Sequence, residues 1–226
     1  MSHALKIGPV ELGITPRIFA VVNSFLPRPE LKRLFDQGAA LVEIRFDLLP
    51  GDAREALRYA KTVHEAAPFG ILGTLRETFS NKSLRYDLFN RFIPDVDAID
   101  IEIDAPINRQ VIALAKGKTV IASHHDFNAT PADSALLSMA ETARKLGAHI
   151  FKIAAMAKTE EECARLLGFI QKSPLPVIVI VMGEFGNSAR KEALQLGSLA
   201  GYAFTGSAPI APGQLSVAEM AAAIKG

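Results

Sequence analysis

The sequence predicts an α/β protein of the closed (β/α)8 TIM-barrel class, with a short hairpin or cap ahead of the barrel. Three observations lead there. Apolar, β-branched runs recur at Ile18–Val22, Leu41–Phe46, Gly70–Leu75, Ala98–Ile103, Thr119–Ser123, His149–Ile153, Val177–Val181 and Gly201–Thr205. Continuous runs of this length suit strands buried on both faces, as in a parallel sheet. Amphipathic segments of helical length lie between them, at Glu30–Gln37, Ala53–Ala66, Ser83–Arg91, Ala105–Ala115, Pro131–Leu146, Glu160–Gln171, Ser188–Leu196 and Val217–Ile224. The eight units are evenly spaced, and no Gly-rich turn follows the first strand, which favours a barrel over an open doubly wound sheet.

Local signals agree with this division. Lys6-Ile7-Gly8-Pro9-Val10-Glu11-Leu12 forms the small hairpin or cap. Thr130-Pro131 reads as the start of the fifth helix, and Gly147 after Arg144-Lys145-Leu146 as its stop. Thr159 precedes Glu160-Glu161-Glu162 at the start of the sixth. Neither a linker nor a low-complexity tract interrupts the 226 residues, so a single domain is expected.

The composition excludes several classes of function. Hydrophobic residues make up 49% and charged residues 22%, as in an ordinary soluble enzyme. Basic and acidic residues number 25 and 24 and are intermixed, which argues against a nucleic-acid or anionic-membrane partner. Cys163 is the single cysteine, so no intrachain disulfide forms; it falls in a helical stretch as an inert thiol, and a reducing cytoplasm fits. Met1–Val10 carries no signal-peptide pattern, and the longest strongly apolar run, Pro176–Met182, is too short to span a bilayer. A cytoplasmic protein is expected.

In a barrel of this kind the site lies where strands end and βα loops begin. Glu43, Arg45 and Asp47 share one face at the end of the second strand, Arg76 ends the third, and Asp100-Ile101-Glu102 ends the fourth. Ser123-His124-His125-Asp126 ends the fifth, Lys152 lies within the sixth, and Met182-Gly183 ends the seventh with Arg190 just inside the next helix. After the eighth strand, Ala208–Gln214 is a Pro/Gly-rich loop long enough to close over the mouth. Lys152 shares its face with Ile150 and Ala154, while Phe151, Ile153 and Ala155 take the other. A charged lysine in such surroundings is costly to bury and tends to become a neutral nucleophile. The competing reading is a packed stem with the ammonium in water.

One amine, an imidazole, several guanidiniums and carboxylates suit an anionic, hydroxylated small substrate. No cysteine ligand set, HExxH or carboxylate triplet speaks for a metal. Gly183-Glu184-Phe185-Gly186 could cradle phosphate, although two glycines in a loop usually serve a turn. A neutral lysine forms an iminium with a ketone, which acidifies the neighbouring C–H. General base catalysis alone contributes about 10²–10⁴-fold, so base and iminium are both needed. Of the five histidines, His3, His64 and His149 fall at surface or structural places, and His124 and His125 point to opposite faces. Parity alone leaves open which of the two faces inward.

Glu43-Ile44-Arg45-Phe46-Asp47, Asp100-Ile101-Glu102, Ser123-His124-His125-Asp126-Phe127 with Thr130-Pro131, Phe151-Lys152-Ile153-Ala154-Ala155-Met156, Met182-Gly183 with Arg190, and Ala211-Pro212-Gly213-Gln214 occur in one order along nearly the whole chain. In order and spacing they resemble type I 3-dehydroquinate dehydratase. The resemblance implies a (β/α)8 homodimer without a cofactor. Such an enzyme converts 3-dehydroquinate to 3-dehydroshikimate through a Schiff base, in aromatic amino-acid biosynthesis. It implies that Lys152 forms the iminium and that His125, rather than His124, moves the proton. By the same resemblance Arg190 and Gln214 hold the substrate carboxylate, Glu43, Arg45 and Arg76 bind ring hydroxyls, and Met182 packs beside the imine. Three positions depart from the family pattern. The carboxylate that orients the histidine aligns with Ser80, so Glu77 is left as a substitute; Ile210 replaces a serine in the final loop; Ala189 replaces a serine beside Arg190. Two other functions are compatible with the same residues: a class I Schiff-base aldolase on this barrel, and a catalytically weak metabolite-binding barrel.

Overall fold

In the computed structural model, which describes residues 5–206 and 214–225, the chain begins with an antiparallel hairpin of β1 (Lys6–Ile7) and β2 (Val10–Glu11). Gly8 takes its turn at φ 55°, a left-handed conformation that favours glycine. The hairpin plugs the floor of the barrel. Ile7 is fully buried, and its carbonyl approaches Gly70 so closely that a Cβ there would meet it at 2.2 Å.

Eight parallel strands follow: β3 (Arg17–Val22), β4 (Leu41–Arg45), β5 (Gly70–Thr74), β6 (Ala98–Glu102), β7 (Thr119–Asp126), β8 (Ile150–Met156), β9 (Val177–Met182) and β10 (Ala200–Phe204). They pair in the order β10-β3-β4-β5-β6-β7-β8-β9. Leu199 N donates to Val177 O at 3.0 Å beside β9 and β10, bringing the barrel near closure. The helices are α1 (Arg28–Asp36), α2 (Ala53–Ala66), α3 (Arg85–Phe92), α4 (Asn108–Leu114), α5 (Asp133–Leu146), α6 (Glu160–Lys172), α7 (Gly186–Gln195) and α8 (Val217–Lys225). None among the described residues is long and apolar enough to cross a membrane. The expected (β/α)8 architecture and its N-terminal hairpin are therefore present.

Side chains alternate across every strand, which divides the apolar residues into two cores. Phe19, Leu41, Leu72, Ala98, Ile121, Ile150 and Ile178 fill the barrel interior with the hairpin. Their neighbours Ala20, Val42, Ile71, Ile99, Ala122, Phe151 and Val179 face the helices. Two residues further along five of these strands, the inward positions turn polar. Glu43, Thr74, Asp100, Ser123 and Lys152 follow Leu41, Leu72, Ala98, Ile121 and Ile150, and all five are buried. The site is thus a polar layer resting on an apolar one.

Several element ends differ from expectation for local reasons. Thr159 caps α6 through Glu162 N, and Gly147 ends α5 at φ 86°. Thr130, however, does not start α5: its hydroxyl donates to Met156 O at 2.7 Å, and the helix begins at Asp133 with no side-chain cap. The third helix begins at Arg85 rather than Ser83, because Asn81 bonds Thr78 N and Arg76 O and holds a turn before it. The fourth begins at Asn108, whose side-chain amide donates to Ile103 O. Strand β7 runs three residues beyond the apolar stretch, since Ser123 to Asp126 continue pairing with Lys152 to Ala155.

Candidate active site

Lys152 sits in β8 with Asp100 and Glu43 before it. Its Nζ is 3.1 Å from Asp100 Oδ2, 3.8 Å from Glu43 Oε1 and 4.1 Å from the centre of the Tyr202 ring. The residue is 3% exposed, so the amine ends inside the barrel rather than in water. Charge pairing and an aromatic face offset the desolvation that such a position imposes on an ammonium.

Asp100 is the hub. Its Oδ1 accepts from Ser123 Oγ at 2.6 Å and from Arg76 at 2.8 Å, while Oδ2 faces Lys152. Burial opposes ionisation of this carboxyl, but Arg76 and Lys152 together outweigh it and hold the group well below the usual carboxylate range. Glu43 accepts from Thr74 Oγ1 at 2.7 Å.

His125 shares the inward parity of Ser123 on β7 and pairs in register with Ala154. Its ring lies parallel to that of Phe127, with centroids 6.2 Å apart. Burial pushes its pKa down to about 2, with the cations Arg76, Lys152 and Arg45 adding to the effect and Asp100 opposing it. The imidazole is therefore neutral at ordinary pH.

A cavity of about 360 Å³ opens above these groups. Seven of the eight site residues expected from the sequence line it: Glu43, Arg45, His125, Lys152, Met182, Arg190 and Gln214. Arg45 is held by a forked pair to Asp47, at 3.0 and 2.6 Å. Arg190 is buried on α7, and burial pulls its pKa down to about 10. Arg76 is the eighth. It stands one layer back on Asp100 and Ser123, and borders an adjoining cavity of about 400 Å³ that also reaches Glu77, Glu102, Asp104 and His124. The volume and convergent polar groups match a small-molecule site.

The departures noted in the sequence resolve in part. Glu77 turns to Lys82 at 3.2 Å and approaches Arg85 at 3.9 Å. Ser80 is exposed and meets the Thr78 hydroxyl at 3.0 Å. Asp100 is instead the carboxylate whose field acts on His125. Ser188 bonds its own helix start at Phe185 O. Ile210 and Ala211-Pro212-Gly213 lie outside the described residues. Gly183, at φ 92°, packs so tightly that a Cβ would meet Met156 Sδ at 2.6 Å, so this loop serves a turn against β8.

Sequence reasoning placed Asp100 and Ser123 at the strand ends without giving them a role, and did not name Thr74 or Tyr202. The signal for them was parity: each occupies the inward series of its strand beside residues that were chosen.

A family model described as type I 3-dehydroquinase matches residues 27–225. The chain belongs to that family. It is 30% identical to a 3-dehydroquinate dehydratase of Methanocella arvoryzae over 217 residues, covering 92% of this chain and 95% of the relative. With the enzyme of that name from Methanococcoides burtonii it shares 31% identity over 232 residues, covering 98% of each. Among solved structures, the 3-dehydroquinate dehydratase of Aquifex aeolicus superposes with a TM-score of 0.80 at 26% identity, covering 92% of this chain and 97% of that one. The family match therefore runs from α1 to α8, and the relatives named cover 92% to 98% of the chain.

Proposed function

We propose that this type I 3-dehydroquinase family member removes water from 3-dehydroquinate to give 3-dehydroshikimate, through a Schiff base on Lys152 with His125 as general base and acid. The observation that carries the reading is a buried amine and a neutral imidazole facing one cavity within a family whose relatives bear that name.

The neutral Lys152 amine adds to the C3 ketone and, with uptake of the one proton the ammonium had given up, expels water, leaving an iminium with the same unit charge as an ammonium; hydrolysis returns that proton. Asp100 and the Tyr202 ring, which face Nζ, stabilise that charge. The iminium draws electrons from C2, and His125 takes a C2 proton to give an enamine. The enamine electrons return as the C1–O bond breaks, and His125 gives its proton to the departing hydroxyl as water. A second water then hydrolyses the conjugated iminium and frees Lys152. One water is released on imine formation, one on elimination, and one is consumed on hydrolysis, for a net loss of one. Arg190 and Gln214 hold the carboxylate, Glu43 and Arg45 the ring hydroxyls, and Met182 packs beside the imine, while Arg76 acts from behind on Asp100.

The deciding experiment is borohydride reduction in the presence of 3-dehydroquinate, followed by intact mass and peptide mapping. A single reduced adduct on Lys152 and growth of ultraviolet absorbance from the conjugated product are expected. Turnover without any adduct on Lys152 would overturn the covalent route; an adduct without turnover would overturn dehydration.

A further inference from the structure

One buried guanidinium has no part in the chemistry above. Arg85, the first residue of α3, is 1% exposed and lies outside the cavity. Its Nε and a terminal nitrogen both donate to Leu75 O, at 2.9 and 2.8 Å. The same terminal nitrogen is in close contact with Glu102 Oε2, and the group rests 5.6 Å from the centre of the Phe89 ring. Leu75 immediately precedes Arg76, and the other oxygen of Glu102, Oε1, is 3.3 Å from Arg76. Arg85 therefore grips the backbone at the base of Arg76 and the carboxylate beside its head.

Packing alone does not account for this residue. A well-packed apolar side chain fills such a space without the desolvation that a buried guanidinium imposes. Arg76 faces two carboxylates, and its NH1 stands nearer to Asp100, at 2.8 Å, than to Glu102. Glu102 can leave Arg76 to Asp100 because Arg85 supplies it with a second cation. Glu77 competes weakly for Arg85, at 3.9 Å, since Lys82 holds it at 3.2 Å.

We propose that Arg85 is a positioning residue for Lys152, acting through Glu102, Arg76 and Asp100. By satisfying Glu102 it keeps Arg76 on Asp100, so that Asp100 divides its charge between Arg76 and Lys152. Without Arg85, Arg76 swings toward Glu102, and Asp100 is left to hold the Lys152 ammonium with Ser123 alone. The free amine needed for attack is then less available, and the chemical step slows. Substrate contacts in the main cavity are unchanged. The inference rests on the dehydratase reading for its kinetic part only.

Three variants test it: Arg85→Met, Glu102→Gln and the two together. In Arg85→Met, kcat is expected to fall by about tenfold or more while KM stays within about threefold, the pattern of a lost transition-state contribution rather than lost binding. The double variant should recover to the kcat of Glu102→Gln alone, because a neutral amide no longer draws Arg76 away. A crystal structure of Arg85→Met should show Arg76 NH1 shifted from Asp100 to Glu102. An unchanged kcat, a rise in KM alone, a double variant slower than Glu102→Gln, or Arg76 still bonded to Asp100 would each overturn the proposal. Should Arg85→Met fail to fold, comparison of the double variant with Glu102→Gln still decides it, since neither buries an unpaired carboxylate. Wild-type protein that does not convert 3-dehydroquinate refutes the dehydratase reading instead, and the structural comparison stands apart from that result.

Discussion

Replacing His125 by Asn should change the pH dependence of stability as well as the rate. In the folded protein the His125 pKa is pushed down to about 2, mainly by burial, whereas an unfolded histidine titrates near 6.5. Below pH 6.5 the unfolded chain gains a proton that the folded imidazole does not take up. Stability from this group is thus fully present above pH 6.5 and is lost as pH falls toward 2. Each pH unit in that window is worth about 1.4 kcal/mol, so between pH 7.5 and 4.5 the wild type loses about 2–3 kcal/mol from His125. The Asn variant has no such group and keeps that increment. Other acid-sensitive groups, Asp100 foremost, remain in both proteins and largely cancel in the comparison. Urea unfolding at several pH values, followed by far-ultraviolet circular dichroism because the chain contains no tryptophan, measures the difference. The gap between the two midpoints should move by about 1 M urea over this range. Parallel curves for the two proteins would refute the argument, because they would mean that His125 titrates alike folded and unfolded. Kinetically, the same variant should still form the reducible adduct on Lys152 while kcat falls by about 10²–10⁴-fold.

Three further predictions concern the cavity walls. Tyr202→Phe keeps the ring under Nζ and removes a buried hydroxyl that has no hydrogen-bond partner among the described residues; stability should hold or rise by up to about 1 kcal/mol, with kcat within about twofold. Tyr202→Leu also removes the ring, along with its 4.7 Å stack on Phe19, and should cost about 1–3 kcal/mol by thermal melt while slowing adduct formation. Arg190→Met should raise KM by about 10–100-fold with a smaller change in kcat, since a charge-assisted bond to a carboxylate contributes about 1.5–3 kcal/mol. Equal losses in kcat and kcat/KM would instead assign Arg190 to the chemical step.

How far the sequence reached depended on whether a feature was set by periodicity or by the reach of a long side chain. Strand alternation put Glu43 and Arg45 on one face of their strand and Lys152 on a face with Ile150 and Ala154, and the structure turns both faces inward. The end of β7 was harder to read because its last residues, Ser123 to Asp126, are polar. Their membership of the strand depends on pairing with β8, which is long-range information. That extension fixes the parity of His125. Arg76 shows the limit from another direction. It was expected at the substrate, and what the sequence could not show is that its guanidinium also reaches Asp100 on the next strand while bordering a cavity shared with Arg45 and His125. Thr130 and Asn81 tell the same story at the helix starts: short polar side chains that suit a cap were taken by Met156 O and by Thr78 N and Arg76 O. Periodicity is local and legible, whereas competition between acceptors is decided only once the chain is folded.

The charges in the site also bear on how a buried network would serve the proposed covalent reaction without rearranging. Lys152, Asp100, Arg76, Glu102 and Arg85 form a chain of alternating sign from the cavity to α3, and Glu43 beside Lys152 brings three cations against three anions. Paired burial of this kind is tolerable because no charge is left alone in a medium of low polarity. Converting an ammonium to an iminium keeps one positive charge near the same place, so the partners need not move as the bond forms. On the proposed route the proton taken by His125 moves that charge from the iminium, which becomes a neutral enamine, to a ring flanked by Arg76 and Arg45, which disfavour it. That same repulsion favours rapid return of the proton to the departing hydroxyl. A histidine carboxylate partner, which would stabilise the imidazolium, would therefore ease proton abstraction and slow its return. With Glu77 turned to Lys82 and Ser80 at the surface, Asp100 is the carboxylate that opposes those cations at His125, and on the proposed route such a balance favours proton return over proton abstraction.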